Sequence, residues 1–135
     1  MSKAHYDAFE AMLPDTLNIF RGSAPSKPVE ADYPYVVLGG NAGADYSESA
    51  TGKPDAIDLR FKLTYAGLSF DQLLVAIEQV RAAFRGKRLV VPGWSSAPFR
   101  HEPLVDIRTD RDITVPGLSI NPVYAVDELA VFSTR

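Results

Sequence analysis

The sequence predicts an α+β fold in one domain spanning residues 1–135: a mainly antiparallel or mixed β-sheet with two α-helices packed on it. Ile57 to Tyr65 alternates apolar and polar residues without a break, the period of a half-buried strand. Phe70 to Arg85 repeats its apolar residues at helical spacing. The predicted elements run α-β-β-β-α-β-β-β, so strands come in neighbouring groups rather than in strict alternation with helices.

Ala4 to Leu13 reads as a short helix, with Tyr6, Phe9 and Leu13 on one stripe and Pro14 as its stop. Leu17 to Arg21 is a strand candidate, followed by a loop holding Gly22, Pro25 and Pro28. Tyr33 to Leu38 (YPYVVL) is rich in β-formers. Pro34 cannot donate to a ladder, so it belongs at the strand's start or on an edge. Gly39 to Ala56 has neither period and reads as a long loop. It would join Tyr33–Leu38 and Ile57–Tyr65 as a long-looped hairpin.

In the second helix Phe70, Leu73, Leu74, Ile77, Val80 and Phe84 form the stripe. Ser69 and Gln72 have the spacing of a capping box, and Leu68 and Leu73 that of a hydrophobic staple. Arg81 and Arg85 suit the negative C-terminal end, and Gly86 suits the left-handed cap. Lys87 to Val91 is expected as a strand ended by Pro92-Gly93, and Trp94 to Pro103 as irregular chain. Leu104 to Thr109 is a further strand candidate, and Val115-Pro116-Gly117 a turn. Val123 to Phe132 is the final strand, with a bulge expected where Asp127-Glu128 interrupts its alternation.

At 135 residues, 46% hydrophobic and 23% charged, the chain can bury a core without a metal or disulfide staple. The longest uncharged stretch, Ile113 to Val126, is broken by Pro116, Gly117 and Pro122 and cannot span a membrane. The first residues lack the apolar core of a secretory signal. There is no cysteine, which excludes disulfides, thiol catalysis and thiolate metal sites. Net charge is −3. Positions 78–112 hold seven basic and five acidic residues, the remainder seven and twelve. That mild polarity falls short of a nucleic-acid footprint.

No catalytic constellation is complete. His5 and His101 are the only histidines, His101 being expected as an exposed loop residue, and no Gly-x-Ser-x-Gly elbow occurs. Asp106, Asp110 and Asp112 cluster, but Arg108 and Arg111 interleave with them; a charged turn accounts for the pattern better than a hard-cation site. Glu30 and Asp32 are weighed the same way. Gly39-Gly40-Asn41-Ala42-Gly43 lacks the Gly-Lys-Ser/Thr ending of a phosphate loop. The sequence therefore calls for no cofactor, no metal and no catalytic residue. What remains is a basic run, Arg81, Arg85, Lys87 and Arg88, and large aromatics outside the regular elements. Aromatic and arginine side chains anchor interfaces. Tyr46, Arg85, Arg88, Trp94, Phe99 and Arg100 are the candidate interface residues.

The layout resembles a known family. It comprises the short N-terminal helix, the Tyr33-Pro34-Tyr35-Val36-Val37 strand, the long polar loop, the alternating strand IDLRFKLTYAG, the capped helix, and LVDIRTDRDITVPG. This order is similar to that of the tail terminator proteins of long-tailed, non-contractile bacteriophages, over nearly the whole chain. The resemblance implies a non-enzymatic virion protein that forms a hexameric ring. The ring would cap the head-proximal end of the tail tube, stop tube polymerisation and offer the surface to which the filled head docks. Its partners would be further copies of itself, the tail tube protein and the head–tail connector protein. DNA would pass through without sequence-specific binding. The implied location is the virion tail, with assembly in the host cytoplasm and no membrane. No residue-level motif accompanies the resemblance. The alternatives are a head–tail connector or head-completion protein, and a small ligand-binding domain or enzyme using His101 or the Asp106–Asp112 cluster.

Overall fold

The structure, a computed structural model, describes residues 2–46 and 55–135, with backbone alone at 45 and 46. Its elements are α1 (Ser2–Met12), β1 (Asn18–Arg21), β2 (Tyr35–Gly40), β3 (Ala44–Tyr46), β4 (Ala56–Gly67), α2 (Phe70–Phe84), β5 (Ser95–Ser96), β6 (Arg100–Thr109) and β7 (Val123–Thr134). The strands form one mixed sheet in the order β1-β2-β4-β7-β5, with β3 also on β4 and β6 also on β7. Only β1 and β2 run parallel. The α+β architecture is as the sequence predicts, including the β2–β4 hairpin pairing.

The two long central strands, β4 and β7, pair in unbroken antiparallel register from Ala56↔Thr134 to Gly67↔Val123. Alternation then sorts their side chains. Ile57, Leu59, Phe61, Leu63 and Tyr65 of β4 face the same core as Ala125, Leu129 and Val131 of β7. Both helices lie on that face. Phe9 of α1 stacks on Phe61 of the sheet (4.1 Å between ring centroids) and on Phe84 of α2 (4.5 Å), tying three elements together.

Helix α2 forms where its stripe predicts. The Ser69 hydroxyl accepts from the Gln72 amide (3.1 Å). The reciprocal half differs: Gln72 Oε1 accepts from the Leu68 amide (2.7 Å) rather than from Ser69. Gly86 follows with φ +69°. Ser69→Ala is expected to cost about 1 kcal/mol, read from the urea midpoint at unchanged slope.

Four local expectations are corrected. Residues 87–91 are not a strand. Leu89 and Val91 alternate inward as a strand would, but the Lys87 amide donates back to Phe84 and the Trp94 amide to Val91. The segment is therefore a loop pinned by two turns, with one isolated bridge, Arg88↔Pro98. Residues 39–56 are not all loop. Strand β2 runs to Gly40, and the chain continues in the same direction as β3 along the stretch of β4 that β2 leaves open. Residues 47–54 lie outside the described residues. Glycine is required at this crossing: a Cβ on Gly43 (φ +89°) would meet Ile57 at 2.7 Å. No bulge occurs at Asp127-Glu128, because Asp127 points inward to partners and Glu128 outward to Arg60 (2.7 Å). The irregularities fall in β6, around Pro103 and Val105. Finally, residues 94–103 are partly regular: β5 and the start of β6 both pair with β7.

Candidate functional site

The inward parity of β7 places a carboxylate in the core. Asp127 is 2% exposed, and three side chains meet it. Arg81 of α2 donates from Nε (3.1 Å) and Nη2 (3.0 Å) to its two oxygens. Tyr65 of β4 donates its hydroxyl at 3.0 Å. His101 Nε2 of β6 lies at 3.2 Å. Burial raises the pKa of Asp127, but the Arg81 and His101 hydrogen bonds and the Arg81 charge outweigh it and hold the carboxyl below its ordinary value. Burial, then the Asp127 charge, pushes the Tyr65 phenol far up, so it stays a donor. Arg81 is held protonated by the same partner. The cluster joins α2, β4, β6 and β7 at one carboxylate. His101 is exposed as expected, but it is a strand residue of β6 rather than a loop residue, and it ties β6 to the buried carboxylate.

Strand β6 pairs only with β7 among the described residues, leaving its outer edge open. None of its ten residues is buried. Open edges of this length template pairing with other chains. Here Pro103 and the irregular register break the edge into two short runs. The other exposed apolar side chains include Phe70 (55%), Val75 (54%) and Val90 (81%).

The structure distributes the six sequence-predicted interface residues over several places. Arg85 and Phe99 line one small cavity of about 150 Å³ with Arg81, Phe84 and His101 at the C-terminal end of α2. Phe99 also packs edge-on to Phe84 and Phe9. Arg88 lies on the adjoining loop and donates to the Ser96 carbonyl (3.2 Å). Trp94 packs edge-on to His5 (5.0 Å) with the Arg135 guanidinium over its ring (4.8 Å). Arg100 is on the opposite sheet face, 3.6 Å from Asp58. Tyr46 is at the end of β3, paired with Ala56; its side chain is outside the described residues.

Sequence reasoning missed the Asp127 cluster and Val90. The first had a signal: Asp127 shares parity with Ala125, Leu129 and Val131, and a charge at a buried parity needs partners. The second had one too: the strand alternation expected over 87–91 sets Val90 opposite to Leu89 and Val91. Asp106, Asp110 and Asp112 form no metal-holding group; among the described residues no three His, Asp or Glu do. Among those residues, too, no helix is long and apolar enough to cross a membrane.

Fold and surface together define an α+β fold with an open sheet edge at β6 and exposed apolar side chains. No protein-family model matches the sequence, and no curated protein does. Among solved structures, the fold is similar to that of a chain in the virion of a native gene transfer agent (GTA) particle. The TM-score is 0.55 at 16% identity, covering 97% of this chain and 93% of that one. At that identity the likeness is one of fold, and it runs end to end.

Proposed function

We propose that this chain is a structural protein of a phage-like virion, and within the virion the tail terminator. Its subunits close into a hexameric ring at the head-proximal end of the tail tube. The ring ends tube polymerisation and presents the docking surface for the filled head. The observation that carries the reading is the end-to-end fold likeness to a chain of the gene transfer agent virion, 97% and 93% of the two chains being covered. The open β6 edge and the exposed apolar residues support it, because a ring subunit needs different surfaces for its two neighbours and for tube and head. On this reading the chain is not an enzyme and uses no cofactor. Its partners are its own copies, the tube protein and the connector protein, and DNA passes the ring without sequence readout.

Light scattering after size exclusion across a concentration series, with negative-stain images of each peak and of purified tail tubes, tests it. A ring of about six subunits, free or seated on tube ends that no longer elongate, is expected. A monomer that neither rings nor caps tubes overturns the reading. Binding to filled heads without binding to tubes would assign the connector role instead.

A further inference from the structure

Residues 79–101 hold Arg81, Arg85, Lys87, Arg88 and Arg100 and not one acidic residue. Two of these are paired inside the chain, Arg81 with Asp127 and Arg100 with Asp58. Among the described residues no salt bridge joins Arg85, Lys87 or Arg88 to a carboxylate, and all three are exposed. They lie within the five residues that precede Val90, which is 81% exposed between Leu89 (3%) and Val91 (4%). Its two neighbours are sunk in the core, the loop is pinned by turns at both ends, and Arg88 is tied to the Ser96 carbonyl. Val90 is thus a fixed apolar knob on a basic stretch of chain.

A complementary surface lies towards the other end of α2. Thr16, Leu17, Pro34, Asp71, Gln72, Val75, Ala76 and Gln79 line an open groove of about 380 Å³, with Val75 54% exposed. Among the described residues no lysine or arginine lines it. Asp71 does, and the exposed Asp15 and Glu78 adjoin its lining residues in sequence. Val75 and Arg85 are ten residues apart on one helical path, about 15 Å, and the knob lies beyond Arg85. Knob and groove therefore cannot meet within one copy. They are matched in hydrophobicity and opposite in charge.

We propose that Val90 of one copy seats in the Leu17–Asp71–Val75 groove of the next, with Lys87 and Arg88 against the carboxylates at its rim. The contact is heterologous, head to tail, and so can close by rotation. It rests on the ring reading above and names the surfaces that make the ring.

The chain has no cysteine, so Val90→Cys and Val75→Cys introduce the only thiols. Each variant alone and an equal mixture are oxidised with copper–phenanthroline, both free at a concentration where wild type is assembled and on tail tubes. A linked dimer forming at least about tenfold faster in the mixture than in either variant alone is expected. Faster self-linking of either variant would make the contact isologous and overturn the proposal. Wild-type rings with no such linkage would overturn this contact and leave the ring standing. A wild-type monomer, free and on tubes, overturns both. Val90→Asp provides a second readout. It should raise the concentration for half-assembly by about tenfold or more with unchanged circular dichroism and Tm. If Val75→Asp leaves the ring intact but abolishes tube capping, the groove belongs to the tube protein and the proposal fails.

Discussion

Phe9→Ala is expected to destabilise the chain by about 3 to 5 kcal/mol, the range for truncating a buried aromatic. Phe9 is fully buried. Its ring is parallel to Phe61 on the sheet and to Phe84 on α2, at 13° and 15°, with Phe99 edge-on. None of these neighbours can follow the shrinking side chain: Phe61 is fixed by ladders on both flanks and Phe84 by the helix. The cavity therefore stays open, which puts the cost toward the upper end. Against a total of about 5 to 15 kcal/mol for a typical domain, that is a large share. The loss is not spread evenly. Helix α1 has eleven residues, too few to persist without tertiary contacts, and Phe9 and His5 are its two buried residues.

The chain supplies its own reporter. Its one tryptophan, Trp94, packs against His5 of α1. Urea titration followed by both fluorescence and circular dichroism is the measurement. Loss of 3 kcal/mol or more with coincident curves means α1 unfolds with the rest. A fluorescence change preceding the loss of ellipticity means α1 undocks first. A cost below about 1 kcal/mol would contradict the triple stack.

How far the sequence discloses this molecule depends on whether the information is local. Strand β4 and helix α2 are legible because each alternates or repeats along its own length, and because Ser69 and Gly86 mark the ends of α2 by local chemistry. The β2–β4 pairing follows from two adjacent strands. The failures are of another kind. Residues 87–91 have a strand's alternation, yet β7 offers its edge to β5 and β6 instead, which only the whole sheet decides. Segment 44–46 has little β character of its own and pairs because β4 is twice as long as β2. Asp127-Glu128 looks like an interruption of β7 until Arg81, His101 and Tyr65 are brought to the inward carboxylate from 46, 26 and 62 residues away. The same holds for the candidate surface. Residue type singled out Arg85, Arg88 and Phe99, but not that Trp94 packs against α1, that Arg100 takes the other sheet face, or that Val90 stands out because its neighbours are sunk.

Removing the Asp127 charge is expected to have the second large effect on stability. Asp127→Asn keeps shape and lets Tyr65 donate as before, but removes the charge facing Arg81. Breaking a buried ion pair from one side costs about 3 to 5 kcal/mol; Arg81 is 37% exposed and can turn to water, so about 2 to 3 kcal/mol is expected here. The pH dependence follows from linkage. The Asp127 carboxyl is held below its ordinary value in the folded chain and returns to about 3.9 when unfolded. Between those two values the unfolded chain binds more protons, so stability falls as pH falls. The contribution is complete above about pH 4 and lost as pH drops through the folded value. Wild type should therefore lose stability as pH falls below about 4, and Asp127→Asn should lose less over the same range, so that the gap between the two curves narrows in acid. Urea midpoints from pH 7 to pH 2.5 provide the comparison. Parallel curves would mean that Asp127 titrates alike in both states. Because His101 is the one contact from β6 to this carboxylate, the same variant should also loosen the open edge, read as faster amide exchange along β6 than along β4. Uniform exchange in both strands would confine the cluster to stabilising the core, with no part in holding the edge strand in place.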